Sequence, residues 1–281
     1  MYRFELRPID QLINLTMKKA ISLLLIIVLF SACKNKKQTE STVVNEVKKE
    51  DIITSIYPES ITKVFNAHGG IDTWNTMKLL SFTMEKPNGK EVTILNLKTR
   101  AEVIETPDYK MGYDGTTQWV LEKDNKPYKG NAKFYKGLMF YFYAMPFVLG
   151  DDGIMYEDIE PLTFEDKAYP GILISYESGV GESPDDQYKI YYDKATGEMA
   201  WLGYTVTFGK DEKSKDFHFI RYNNWQTVNG LKLPESIDWY KYENSLPTEK
   251  RTTVMFTDVL LSKKAPEDSI FKIPEGAKTI K

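Results

Sequence analysis

The sequence predicts a mainly β protein with a minority of helix (α+β), built as one long antiparallel meander. Three observations carry that reading. The 281 residues include 18 Tyr, 14 Phe and 5 Trp, types that suit a pleated, half-buried surface. Hairpin signals recur: Asp193-Lys194-Ala195-Thr196-Gly197 reads as a loop with Gly in a left-handed position, and Asn229-Gly230 sits between Val228 and Leu231. Leu202, Tyr204, Val206 and Phe208 alternate with Gly203, Thr205 and Thr207, which gives that stretch one apolar face.

The elements follow in order. Pro58 and Glu59 suit a first helical turn, and Ile61, Val64, Phe65 and His68 recur at helical spacing. Gly69 or Gly70 suits the C-terminal cap. Asp72 is the expected N-cap of a short second helix carrying Trp74 and Met77. Strands are expected at 79–85 and 92–97 around Pro87-Asn88-Gly89, then at 101–106, 109–113 and 117–122. Residues 131–145 read as one inserted helix with Asn131 as N-cap, an apolar face of Phe134, Leu138, Phe142 and Met145, and Pro146 as its stop. Its other face is apolar too, so it needs cover on more than one side. Further strands are expected near 162–166, 171–176, 187–193, 199–208, 217–225, 231–242 and 250–261. The expectation is a single domain over 55–281 with about ten strands.

The N-terminus reads differently. Met17-Lys18-Lys19 starts a positive segment, Ile21 to Phe30 is apolar apart from Ser22, and Ser31-Ala32 precede Cys33. That is the layout of a secretory signal over 1–32, with Met17 as the expected true start. The apolar run falls well short of the roughly 20 residues a membrane-spanning helix needs. Leu29-Phe30-Ser31-Ala32-Cys33 resembles a bacterial lipobox, with Phe30 where Leu is commoner. The resemblance implies cleavage before Cys33 and multiple acylation of its thiol, palmitate included. Each buried CH₂ adds about 0.8 kcal/mol to membrane binding, and stable anchoring takes more than one chain. Residues 33–54 then read as the lipidated Cys33 and a polar, flexible tether. Lys34 after the cysteine, rather than Asp, points by analogy to the outer membrane within the cell envelope.

Composition narrows the function. Cys33 is the sole cysteine, so the mature domain has no disulfide and no cysteine-based metal site. Without residues 1–32 the chain holds 33 basic and 38 acidic residues, which argues against nucleic acid as a partner. His68 and His218 have no companion at metal-ligand spacing, and they read as a helix-end and a strand-face histidine. Gly179-Val180-Gly181-Glu182-Ser183 lacks the lysine of a phosphate loop and reads as a hairpin tip. The pairs Asp151-Asp152 and Asp185-Asp186 lack calcium-loop spacing and read as solvated loop charge. No catalytic residue, metal or cofactor is expected.

Several motifs together carry a family resemblance: Ala67-His68-Gly69-Gly70-Ile71-Asp72-Thr73-Trp74, Tyr113-Asp114-Gly115-Thr116-Thr117-Gln118-Trp119, Tyr191-Tyr192-Asp193-Lys194-Ala195-Thr196-Gly197, Val228-Asn229-Gly230-Leu231-Lys232-Leu233-Pro234 and Phe271-Lys272-Ile273-Pro274. Over residues 55 to 280 the chain resembles lipoproteins of Bacteroidetes-type bacteria. It also resembles the wider superfamily of lipoprotein carriers and receptors of the Lol system, the LolA/LolB-like proteins. That resemblance implies a half-open antiparallel barrel with helices on its concave side and a cavity for acyl chains. The function it implies is a membrane-anchored, non-catalytic lipoprotein that binds a lipid or other hydrophobic small molecule. The inserted helix is then either an ordinary core helix or a lid over such a cavity. Wall candidates are Phe134, Leu138, Phe142, Trp119, Trp201 and Trp239. The competing reading is a cell-envelope scaffold with a solid core and a protein partner; a hydrolase is the third.

Overall fold

A computed structural model describes residues 56–280, apart from 125, 177–185 and 208–215. The signal segment, Cys33, the tether, Gly179 to Ser183, Asp185 and Phe208 lie outside the described residues. Helix α1 (Glu59–Ala67) starts after Pro58 and turns Ile61, Val64 and Phe65 inward. It stops at Gly69 and Gly70, whose φ angles of 100° and 91° favour glycine. A Cβ on Gly69 would stand 2.2 Å from the Gly230 carbonyl oxygen. The Asn229-Gly230 hairpin therefore presses on the helix end, and the Lys232 N–H donates to the His68 carbonyl at 2.9 Å. Helix α2 (Ile71–Asn75) has Gly70, not Asp72, at its N-cap. Asp72 lies inside the first turn, two residues past the cap position expected of it.

Two seven-stranded antiparallel sheets follow. The first holds β1 (Leu79–Lys86), β2 (Gly89–Asn96), β3 (Glu102–Glu105), β4 (Tyr109–Tyr113), β5 (Gln118–Glu122), β13 (Thr257–Ser262) and β14 (Lys278–Ile280), in the order β13-β1-β2-β3-β4-β5-β14. The second holds β6 (Ile154–Phe164), β7 (Lys167–Tyr176), β8 (Tyr188–Tyr192), β9 (Met199–Tyr204), β10 (His218–Val228), β11 (Leu231–Glu243) and β12 (Leu246–Met255), in the order β12 back to β6. Strands β12 and β13 are consecutive in the chain, so the sheets meet at Phe256. The result is an antiparallel half-barrel, not closed into a barrel, whose described residues belong to one unit, Ile53–Lys281.

The main core lies on the concave side. Leu80, Phe82 and Met84 of β1 face Ile172, Ile190, Leu202, Ile220 and Leu233 of the second sheet across α1, α2 and the insert.

The described residues form fourteen strands, not about ten, and four further expectations need correction. The 131–145 helix is two short ones, α3 (Ala132–Tyr135) and α4 (Leu138–Tyr143), because Gly137 sits at φ 70° and breaks the rod. Asn131 does cap α3, accepting from the Phe134 N–H at 3.2 Å. Strand β6 begins at Ile154 instead of 162. Its Glu157, Asp158, Glu160 and Pro161 are the residues of an edge strand guarded against further pairing, and they hid the pattern. The strand expected at 250–261 is two strands in two sheets. The strand expected at 199–208 ends at Tyr204.

Candidate functional site

The insert does not fill the space between the sheets. A cavity of about 490 Å³, open to solvent, lies between α3, α4 and the second sheet. Four of the sequence-derived wall candidates, Phe134, Leu138, Phe142 and Trp239, line it. So do Met139, Val148, Ile154, Tyr176, Tyr188 and Tyr204.

The wall is built by register. Trp239 pairs with Ile220 of β10, and Ile220 pairs with Leu202 of β9, so all three share the concave face. The Phe142 ring meets Tyr204 at 5.0 Å and Trp239 edge-on at 5.9 Å. The Trp239 indole N–H donates to the Tyr204 hydroxyl at 3.3 Å. Burial raises the phenols of Tyr176, Tyr188 and Tyr204 above the ordinary tyrosine value, so the aromatic wall is uncharged at neutral pH.

Polar bonds hold the insert at a fixed height. The Gly137 N–H donates to Glu102 Oε2 at 2.9 Å, and the Tyr135 hydroxyl donates to Glu91 Oε1 at 2.6 Å. Gln118 Nε2 donates to the Ala132 carbonyl at 2.5 Å. On the other side the buried Tyr222 hydroxyl donates to the Phe142 carbonyl at 2.7 Å. Glu91, Glu102 and Gln118 are buried on the concave face of the first sheet. They explain three polar residues in otherwise apolar strands: each meets a backbone or hydroxyl group of the insert.

Trp119 and Trp201 do not reach the cavity. Trp119 pairs with Gly112, and this places it on the outer face of the first sheet. There its indole N–H donates to the Phe271 carbonyl at 3.2 Å, in a satellite core with Ala101 and Val103. Trp201 lies one residue from Leu202, hence on the opposite face. It packs against Phe164 at 4.7 Å and Tyr240 at 4.8 Å, with the Arg221 guanidinium 5.2 Å above its ring.

Each histidine has a structural setting. His68 is fully buried, its Nδ1 2.8 Å from the Val64 carbonyl oxygen and its ring 4.5 Å from Trp225. Burial lowers its pKa to about 4, against the smaller opposing pull of the Val64 carbonyl. The expected favourable interaction of a cationic His68 with the helix end is thus outweighed by desolvation, and the ring is neutral at pH 7. His218 opens β10, stacked on Tyr204 at 5.4 Å and edge-on to Tyr242 at 4.9 Å. Of the acidic pairs, Asp151 is held by Arg100 at 2.6 and 2.8 Å, and Asp186 Oδ1 accepts from Thr207 N and Oγ1, both at 2.7 Å. Among the described residues no group of three or more His, Cys, Asp or Glu is placed to hold a metal ion, and no helix is long and apolar enough to cross a membrane.

No family model matches the chain, and no curated protein matches it. Solved structures do resemble it in fold. One is a LolA-superfamily protein from Nitrosomonas europaea, at 9% identity over 70% of this chain and 90% of that one, with a TM-score of 0.43. Another is a DUF1329-family protein from Desulfovibrio piger, at 10% identity over 76% and 98%, with a TM-score of 0.45. A third, from Vibrio parahaemolyticus, is described as an outer membrane lipoprotein-sorting protein domain; it shares 10% identity over 71% and 93%, with a TM-score of 0.34. These likenesses concern the overall fold alone. The ligand class has to come from the cavity's own residues.

Proposed function

We propose that the protein is a non-catalytic lipoprotein of the cell envelope, anchored through acylated Cys33, that holds a lipid or other hydrophobic small molecule in the cavity beneath α4. One observation supports this above the rest. About 490 Å³ of space is walled by Leu138, Met139, Phe142, Val148, Tyr204 and Trp239 and opens to solvent. Ligand pockets are typically apolar, of about 300–1,000 Å³, with a few polar groups at defined places. The polar groups here are the tyrosine hydroxyls and the charges at the mouth. Methionine and aromatic side chains adapt to flexible chains.

The test is native mass spectrometry of the chain carrying Cys33→Ala, purified without detergent. A bound mass that leaves on denaturation, and that is identified as a lipid or apolar metabolite, is the expected result. Phenylnaphthylamine, which fluoresces in apolar surroundings, should also be taken up by this chain, and Leu138→Asp should abolish the uptake. Uptake by Leu138→Asp equal to that of the parent would sink the proposal. Acylation is checked separately, by the mass of the N-terminal peptide of the exported protein.

A further inference from the structure

One border of the cavity is rich in lysine. Between Asp124 and Asp151 the chain carries four lysines, Lys126, Lys129, Lys133 and Lys136, and no acidic residue, although the whole chain has a net charge of −3. This segment forms one lip, where Lys133, Phe134, Lys136, Leu138 and Tyr141 border the opening. Lys129 and Lys133 are exposed. Lys126 is paired with Asp108 at 2.5 Å, and the Lys136 ammonium lies 4.0 Å from the centre of the Tyr113 ring. Beside them Phe134 is 37% exposed and Tyr141 44%, large rings that the core leaves outside. Asp151, Asp152 and Asp186 also line the cavity, with Asp151 paired to Arg100 and Asp186 buried and accepting from Thr207.

Aromatic rings next to lysines suit the boundary between water and a bilayer. The ring enters the headgroup layer, and the lysine stem lies along apolar surface while its ammonium stays with the phosphates. The charge on this lip complements an anionic surface. We propose that the α3 lip docks on an anionic lipid bilayer through Phe134, Tyr141, Lys129 and Lys133. The cavity then opens beside the headgroups, and a ligand passes between membrane and Leu138 with little exposure to water. This gives the lid reading of the insert a partner, and it rests on the cavity reading for its purpose.

The experiment uses the mature chain, residues 33–281 with Cys33→Ala, so that neither the apolar signal segment nor an acyl anchor contributes. It is pelleted with vesicles of equal parts phosphatidylglycerol and phosphatidylcholine, and with vesicles of phosphatidylcholine alone. Binding to the anionic vesicles is expected, at least about tenfold weaker on the neutral ones and weakened by added salt. Each lysine near such a surface contributes about fivefold, so Lys129→Gln with Lys133→Gln should lose about twenty-fivefold. Phe134→Ser should weaken binding on its own. No pelleting with anionic vesicles, equal binding to both compositions, or unchanged binding by the double variant would each overturn the proposal. Phenylnaphthylamine uptake by the Cys33→Ala chain without vesicles reads the cavity independently. Uptake without pelleting fails the docking proposal alone, and pelleting without uptake fails the cavity reading alone.

Discussion

Helices cover the concave space at two places, and only one of them is packed solid. Under α1 and α2, Ile61, Val64 and Phe65 are fully inside, and Trp74 stacks on Phe147 at 4.9 Å with an interplanar angle of 8°. Under α4 the cavity remains. The cause is the way each cover is held. Helix α1 presents a regular apolar stripe, and Gly69 lets its end sit against the Asn229-Gly230 hairpin, so it settles until the rings touch. The α3–α4 segment instead hangs from Glu91, Glu102, Gln118 and Tyr222. Hydrogen bonds have a fixed length, and apolar contact does not choose a distance in the same way. Polar struts can therefore hold a void open that apolar packing alone would close.

The largest effect that tests this contrast is at the solid end. Phe65→Ala should cost about 3–5 kcal/mol of unfolding free energy, read by chemical denaturation, because its neighbours cannot close the gap. A loss below about 1 kcal/mol would mean the solid end is as loose as the hollow one.

Acid gives the next effect. His68 has a folded-state pKa of about 4 against an ordinary 6.5. Between those values the unfolded chain binds a proton that the folded chain refuses, so stability falls as pH drops from about 6.5 to about 4. The loss amounts to about 3 kcal/mol. His68→Gln should flatten the stability profile over that window; an unchanged slope would show that His68 is already solvated.

The smallest effect is at the hollow end. Leu138→Ala removes a half-buried side chain beside existing space, so the ligand-free protein should lose less than about 1 kcal/mol. Its phenylnaphthylamine affinity should nevertheless fall several-fold. Affinity equal to that of the parent would separate Leu138 from the cavity wall.

Much of this was legible in the residues themselves. Hairpins at Asn229-Gly230 and Asp193 to Gly197, the α1 stripe and the Asn131 cap each depend on a local rule with a local cause. The misses have causes too. The break at Gly137 was written in the sequence, but a continuous apolar run on both sides outweighed it. Trp201 was also readable: Leu202 and Tyr204 define the inward face, so a residue one position away points outward. Trp119 could have been placed only by knowing that it pairs with Gly112, a fact of register between strands. The buried Glu91 and Glu102 gave no signal, because a strut is recognised only when its partner in the insert is known. The charged residues of β6 read as loop because edge strands are composed to look unlike strands.

The corner at Phe256 has a consequence for how the molecule comes together. Strand β1 has β2 beside it almost at once, but its other neighbour is β13, and Leu80 meets Leu261 there. Most of the chain must be made before that seam can form. Pairings so distant in sequence are entropically late and slow. Until β13 arrives, no strand pairing joins the two sheets. The half-barrel is therefore fastened last at its C-terminal end, and a chain cut before residue 257 would keep nearly all of both meanders and their shared core while losing the hydrogen-bonded seam between them.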